Sequence, residues 1–443
     1  MPTVERVARL PAGFVAAAGT AGIKASGRPD LALIAATSGP IPAAAVTTPN
    51  AFAAAPVRLS RAHLARTYPA GSGGFGFARA IVSTSGCANA ATGPAGDDDQ
   101  RAVAEAVARA LDAPLEEVLC LSTGVIGTRL PVDAVRAGIA ALVPSIAGSD
   151  EALESAAIAL MTTDTRAKVA SAAVDLPGPD GAPCTVRVSG IAKGVGMIHP
   201  RMATMLAVLL TDADVGPETL AAMLRGSAAR TWDQLTIDGD TSTNDTVLLL
   251  ASGAAAAARV HPGTPAAAAL AEVIEAVARD LARQQAADGE GATTLVTCAV
   301  TGAVDDAEAR AVARAVAGSS LVKAAVHGRD PNWGRIAGAA GNARLADGPV
   351  LVAAGLDAAE AERRAGRAAA LDPDRLRVRI AGHPVYDGSA GGPIHFDRGA
   401  ARAAMESTEV VIELDLGLGP GTGEAFGCDL TETYVTENSE YTT

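Results

Sequence analysis

A lone hydroxyl at the head of an apolar strand, Thr204, is the residue best placed for chemistry. It sits in K-G-V-G-M-I-H-P-R-M-A-T-M-L-A-V-L-L-T-D-A (193–213), where glycine-rich polar residues run into aliphatic ones. Two readings fit. The hydroxyl can bond to backbone inside a core strand. It can instead attack the carbonyl of Ala203; the ester so formed hydrolyses and leaves Thr204 with a free α-amine. Such an amine has a reference pKa of about 8, near enough to neutrality to act as base for its own hydroxyl. Ala203 and Thr204 would then flank the cut.

Acyl chemistry also needs donors aimed at a developing oxyanion. S-T-G-V-I-G (122–127) follows the apolar V-L-C-L and reads as a strand entering a glycine-bearing turn. Thr123 offers a hydroxyl there and Gly124 a backbone N–H; an ordinary turn is the plainer reading. D-G-E-G-A-T-T-L (288–295) sets Glu290 between glycines at the mouth of a strand, where it can hold a substrate ammonium or face solvent. In T-I-D-G-D-T-S-T-N-D-T (236–246), Asp238, Asp240 and Asp245 are possible oxygen ligands for a cation. The glutamate of a calcium loop is missing, so a capping network around a helix start is expected instead. D-P-N-W-G-R (330–335) reads as a tight turn under Trp333. The polar tail, 434–443, would ordinarily fray.

The elements that must position these groups alternate between helical and strand periodicity. Amphipathic or well-capped helices are expected at 101–111, 149–161, 217–230, 265–287 and 305–317. β-Branched runs mark strands at 184–190, 294–301, 375–381 and 408–415. Arg375, Arg377 and Arg379 alternate with Leu376, Val378 and Ile380, which gives that strand one wet face and suits an antiparallel sheet. Residues 175–183 are a turn-rich surface connection.

Composition excludes more than it selects. At 443 residues the chain suits one large or two closely joined domains. Apolar residues make up 49% but aromatics only 3%, so the core must be mostly Ala, Val and Leu. A net charge of −13 without basic clusters argues against nucleic acid and anionic membranes as partners. Five scattered cysteines without a C-x-x-C pair suit a reducing compartment. The first residues lack a signal-peptide pattern, and no apolar run reaches the length of a membrane span. A cytoplasmic protein is expected. Lysines number only four, Lys24, Lys168, Lys193 and Lys323, so Lys193 stands out inside the densest motif.

Read together, the motifs resemble the ornithine acetyltransferase family of arginine biosynthesis, also called glutamate N-acetyltransferases. They run in order along nearly the whole chain: A-A-P-V (54–57), S-G-x-A-N-A-x-T-G (85–93), S-T-G-V-I-G, M-T-T-D-T (161–165) and K-G-V-G-M-I-x-P-x-M-A-T-M-L. D-G-D-T-S-T-N-D-T, E-G-A-T, V-K-A-A-V-x-G-x-D-P-N-W-G-R (322–335) and the terminal E-N-S-x-Y-T-T complete the series. The resemblance implies an α/β fold of two sheets sandwiched between helical layers, similar to N-terminal-nucleophile enzymes. It implies self-cleavage into fragments 1–203 and 204–443, assembled as two copies of each. Thr204 would be the nucleophile, with Thr123 and Gly124 as the oxyanion hole. Thr162 (or Thr163), Lys193, Thr204, Glu290, Asn438 and Thr443 would contact substrate, so the tail would fold back into the site.

The reaction so implied has two steps: acetyl passes from N-acetylornithine to Thr204, then to glutamate. No metal or organic cofactor is called for, although acetyl-CoA can serve as donor in some members. Lys193 would hold a substrate carboxylate or keep the Thr204 amine neutral by charge repulsion. Several positions depart from the family pattern: Thr84 and Cys87 for asparagines, Thr294 for a lysine, and His199, Arg201, His327 and Arg329. They leave open a paralogue acting on a different amine. An N-terminal-nucleophile aminopeptidase, in which water takes the acyl group, is the other rival.

Overall fold

The computed structural model describes residues 2–199 and 205–440. In chain order the strands are β1 (Phe14–Gly19), β2 (Leu31–Ala36), β3 (Ile41–Thr47), β4 (Phe75–Ala78), β5 (Ala80–Cys87), β6 (Val118–Val125), β7 (Lys168–Pro177) and β8 (Pro183–Lys193). Then come β9 (Leu206–Thr211), β10 (Thr246–Ala251), β11 (Leu295–Ala303), β12 (Arg377–Ile380), β13 (His383–Asp387), β14 (Gly392–Pro393), β15 (Glu409–Asp415) and β16 (Gly421–Cys428). The helices are α1 (Ala55–Thr67), α2 (Gly93–Ala110), α3 (Val132–Leu142), α4 (Asp150–Leu160), α5 (Pro217–Arg230), α6 (Pro265–Ala287) and α7 (Asp306–Ala317). Shorter ones follow: α8 (Ser320–His327), α9 (Trp333–Gly341), α10 (Gly348–Ala353), α11 (Ala358–Arg364), α12 (Arg398–Ala404) and α13 (Glu432–Glu440).

The strands form three sheets among the described residues, ordered β1-β2-β5-β6, β4-β3-β10-β9-β8-β7 and β14-β13-β12-β15-β11-β16. β9 and β10 run parallel at the centre of the second sheet. Every residue of both is buried, which is why they read as unbroken apolar runs. One face of this sheet, with Ile191, Leu206, Val208, Leu248 and Leu250, shares a core with Ile34, Ile81, Leu119 and Leu121 of the first sheet. α4 contributes Leu153, Ala156 and Leu160 to that core, and α1 contributes Leu64. The opposite face, with Leu209, Val247 and Leu249, packs on α5 and α6. α2 and α3 cover the outside of the first sheet through Val103, Val107, Val135 and Ile139.

The expected pair of sheets between helical layers is thus present, and the structure adds a third sheet. α6 lies between it and the second: Arg283 pairs with Glu409 at 2.8 Å, and Arg279 and Arg283 lie over the Phe426 ring. α7 closes its far face with Val312 and Val316. In β12, Arg377 and Arg379 are exposed while Val378 and Ile380 are buried, and both neighbouring strands are antiparallel.

Two expectations need correction. No helix starts within 236–246; Thr246 opens β10 instead, because the V-L-L-L run is needed at the sheet centre. The D-P-N-W-G-R segment is no simple turn: Asn332 caps α9, its side chain accepting the Arg335 N–H, and Trp333 stacks on Tyr386 at 5.0 Å. The described part of the tail is ordered as α13, as the resemblance implies, and not frayed.

Candidate functional site

Register puts the chemistry at one end of the interior strands of the second sheet, along the edge where β8 finishes and β9 and β10 start. Lys193, the last residue of β8, pairs with Leu206 at the start of β9, and Leu206 pairs with Thr246 at the start of β10. Ala203 and Thr204 lie outside the described residues, as does Thr443. The described backbone on both sides of that stretch is held by the aspartates of 236–246. Asp238 accepts the N–H groups of Met197 and Ile198, and Asp245 accepts that of Met205 at 3.0 Å. These carboxylates face backbone donors, and no cluster of three or more candidate metal-binding side chains occurs among the described residues. The hydrogen-bond network expected of this segment is real, although it anchors a strand start and a loop.

A pocket of about 640 Å³, open mouth included, lies at this edge and is lined by Thr123, Gly124, Thr162, Thr163, Lys193, Glu290 and Asn438. Five separate stretches supply them: the end of β6, the residues after α4, the end of β8, the α6–β11 loop and α13. Gly124 has φ +128°, and a Cβ there would fall 2.3 Å from the Gly86 carbonyl carbon on the parallel strand β5. Only glycine fits that position. Next to it, Asn244 donates to the carbonyls of Ser122 (2.8 Å) and Ala88 (2.7 Å), tying the β6 end to the start of β10. Thr123 is buried, and its Oγ1 lies 3.0 Å from Lys193 Nζ.

Glu290 enters the pocket because Gly196 leaves room: a Cβ on Gly196 would sit 2.2 Å from Glu290 Oε2. The Glu290 N–H bonds to Val195 at 2.8 Å. Thr163 Oγ1 donates to Glu290 Oε1 at 2.9 Å, and Asn438 Nδ2 donates to Oε2 at 3.1 Å. Of the two threonines left open by sequence, Thr163 therefore holds the glutamate, whereas Thr162 gives its backbone N–H to Asp164 at 3.0 Å.

The charges are deeply set. Burial pushes the Lys193 ammonium down, opposed by Asp164. Burial likewise raises the Asp245 carboxyl well above the usual range, against the Met205 N–H that favours its ionised form. Burial raises Asp238 too. For Asp164 the balance is reversed: burial pushes up, but Lys193 and Lys168 outweigh it and hold the carboxyl down at about 2.

Asp164, Asp238, Asn244 and Asp245 escaped the sequence reading as supports of the site. Their signal was present: buried acids and amides beside glycine-rich loops have few partners except backbone N–H groups. The departures from the family pattern fall elsewhere. Thr84 bonds Ser122 at 2.8 Å inside the first sheet, and Cys87 Sγ meets the Thr128 carbonyl. Thr294 accepts from Arg329 at 2.7 Å, and His327 lies 3.3 Å from Asp429 and 3.2 Å from Glu432. His199 lines an adjoining groove, and Arg201 lies outside the described residues. Thr84, Cys87, Thr294, His327, Arg329 and His199 are all absent from the pocket wall.

A hydroxyl, an adjacent glycine N–H, a buried lysine and a clamped carboxylate in one pocket are the equipment of an acyl-transfer enzyme. The ArgJ family model matches residues 15–443. The arginine biosynthesis bifunctional protein ArgJ of Thermus thermophilus is 45% identical over 98% of this chain and 99% of its own length. The same-named protein of Synechococcus is 45% identical over 98% of this chain and 96% of its own. Among solved structures, an ornithine acetyltransferase complexed with ornithine from Mycobacterium tuberculosis is 40% identical, covering 45% of this chain and 98% of that one with a TM-score of 0.39. The chain belongs to the ArgJ family. No helix among the described residues is long and apolar enough to cross a membrane.

Proposed function

We propose that this chain is a glutamate N-acetyltransferase of arginine biosynthesis, moving acetyl from N-acetylornithine to glutamate. The observation that carries the reading is convergence. Thr123, Gly124, Lys193, Glu290 and Asn438, far apart in sequence, share one pocket, in a chain alike end to end with proteins named for arginine biosynthesis.

In this proposal Thr204 first attacks the Ala203 carbonyl, and hydrolysis of the ester yields fragments 1–203 and 204–443. The freed Thr204 amine takes the proton of its own hydroxyl as the oxygen attacks the acetyl carbonyl. Thr123 Oγ1–H and the Gly124 N–H face the oxyanion. Collapse expels ornithine, whose nitrogen takes the proton, and leaves acetyl-Thr204. The glutamate amine then attacks that ester, releases N-acetylglutamate and restores the hydroxyl. Glu290, held by Thr163 and Asn438, pairs with a substrate ammonium. Thr162, Lys193 and Thr443 complete the substrate contacts. No metal or organic cofactor enters; acetyl-CoA is a second possible acetyl donor. Two copies of each fragment in the cytoplasm complete the proposal.

Intact mass before and after exposure to N-acetylornithine tests it. Two fragments breaking before Thr204, with one acetyl on the second, are expected. An uncut chain that acquires no acetyl overturns the reading.

A further inference from the structure

Behind the pocket wall three charged side chains are buried together. Lys168 Nζ donates to Asp164 Oδ1 and to Asp288 Oδ2, both at 2.6 Å, with the Lys168 and Asp164 side chains fully sequestered. Asp288 follows α6 and also accepts the Thr165 N–H at 3.1 Å. Asp164 Oδ1 takes the Gly194 N–H at 2.8 Å, next to Lys193, and Oδ2 takes the Thr162 N–H. Both lie beside residues that line the pocket.

Two buried carboxylates on one ammonium leave a net negative charge, which is costly away from water unless another cation answers it. Arg166 Nη1, 4.0 Å from Asp288 Oδ1 at the surface, answers the Asp288 side, and Lys193 answers the other: its attraction to Asp164 is among the forces that keep Asp164 ionised. The other charged groups facing Lys193 are Glu290 and Asp245, which favour its ammonium, and Lys168 and Lys24, which oppose it.

Charge at Lys193 decides which way a proton points. An ammonium has three donors and no acceptor. In the 3.0 Å bond to Thr123 the hydroxyl oxygen must therefore accept. The Thr123 proton is then free to turn into the pocket. A neutral lysine amine could accept that proton and turn it away.

We propose that Asp164, braced by Lys168 and Asp288, is a positioning residue that keeps Lys193 an ammonium and so aims the Thr123 O–H at the reacting oxygen. The last clause rests on the reading of Thr123 as an oxyanion donor; the charge relation does not.

With only four lysines in the chain, 13C at the lysine ε position gives few enough resonances to follow each by NMR. Lys→Arg variants assign them. In the wild type, Lys193 is expected to be an ammonium at pH 7. In Asp164→Asn its titration midpoint should fall by roughly one pH unit or more, the size of effect a lost neighbouring charge has. Asp288→Asn should move it in the same direction by less, and Asp164→Glu should restore it. The alkaline limb of kcat should move with the Lys193 midpoint while KM stays within about twofold; a purely structural role would not move that limb. An unshifted Lys193 in Asp164→Asn overturns the inference, as does a wild-type Lys193 already neutral below pH 7, which needs no variant. The titration requires no turnover. A shifted Lys193 in a protein whose wild type transfers no acetyl therefore sinks the functional reading and supports the charge relation.

Discussion

Two buried acids flank the pocket, and they have opposite characters. Asp164 sits with Lys168 and Asp288 on the side of the α4–β7 connection, and surrounding cations hold it ionised. Asp245 sits across the sheet just before β10, where burial raises its carboxyl and the Met205 N–H donates to Oδ1 at 3.0 Å. Burial is nearly equal at the two sites, so the difference lies in the company each keeps. One acid is held ionised by its cations; the other is a hydrogen-bonding anchor whose carboxyl burial raises.

The comparison breaks most severely at Lys168. Lys168→Met keeps much of the volume but strands two buried carboxylates. Removing one partner of a buried ion cluster typically costs about 3–5 kcal/mol. Urea unfolding should show a loss of that order at pH 7, partly recovered in Lys168→Met with Asp164→Asn. A loss below about 1 kcal/mol would mean that water reaches the cluster and that Asp164 is no fixed charge.

Asp245 should respond in the opposite sense. Its folded pKa is raised, so as pH climbs above the unfolded value of about 3.9 the unfolded chain releases its proton first. The folded state then holds more protons, and this group's contribution to stability falls with rising pH until the folded pKa is passed. Asp245→Asn keeps an oxygen for the Met205 N–H and has nothing to ionise. The variant should equal the wild type near pH 4 and exceed it in stability at pH 8. A variant less stable than the wild type at pH 8 would show that Asp245 is ionised and paired there.

Much of this was legible in the sequence because it rests on local pattern. The helix over 265–287, opened by Pro265, and the apolar strand β9 were readable from local sequence, whereas β10 stood where a helix start was expected. Thr123, Gly124, Lys193 and Glu290 were conspicuous because polar or glycine residues interrupt apolar runs. Their supports were not. Asp164 and Asp288 stand more than a hundred positions apart and become a unit only when Lys168 reaches both. Asp238 and Asp245 looked like caps or ligands because their partners are backbone N–H groups that no residue type announces. The third sheet was hidden for a similar reason: β11, β12 and β15 were expected one by one while β13, β14 and β16 were not, and pairing β11 in parallel with β15 joins segments more than a hundred residues apart.

The finest distinction concerns the neighbours Thr162 and Thr163, both on the pocket wall. Thr163 Oγ1 donates to Glu290 Oε1, whereas the polar link of Thr162 is its backbone N–H to Asp164. Replacing threonine by valine keeps shape and removes only the hydroxyl. Thr163→Val frees one glutamate oxygen, and a hydrogen bond to a charged acceptor in a part-exposed site is worth about 1 kcal/mol or a little more. A rise in KM for the amino-acid substrate of roughly fivefold, with kcat nearly unchanged, is expected. Thr162→Val leaves its backbone bond to Asp164 intact and should change KM by less than about twofold. The reverse order in steady-state kinetics would place the substrate against Thr162 directly. Asp164 would then hold a substrate-contacting loop as well as a charge, and the contrast with Asp245 would become one of two anchors.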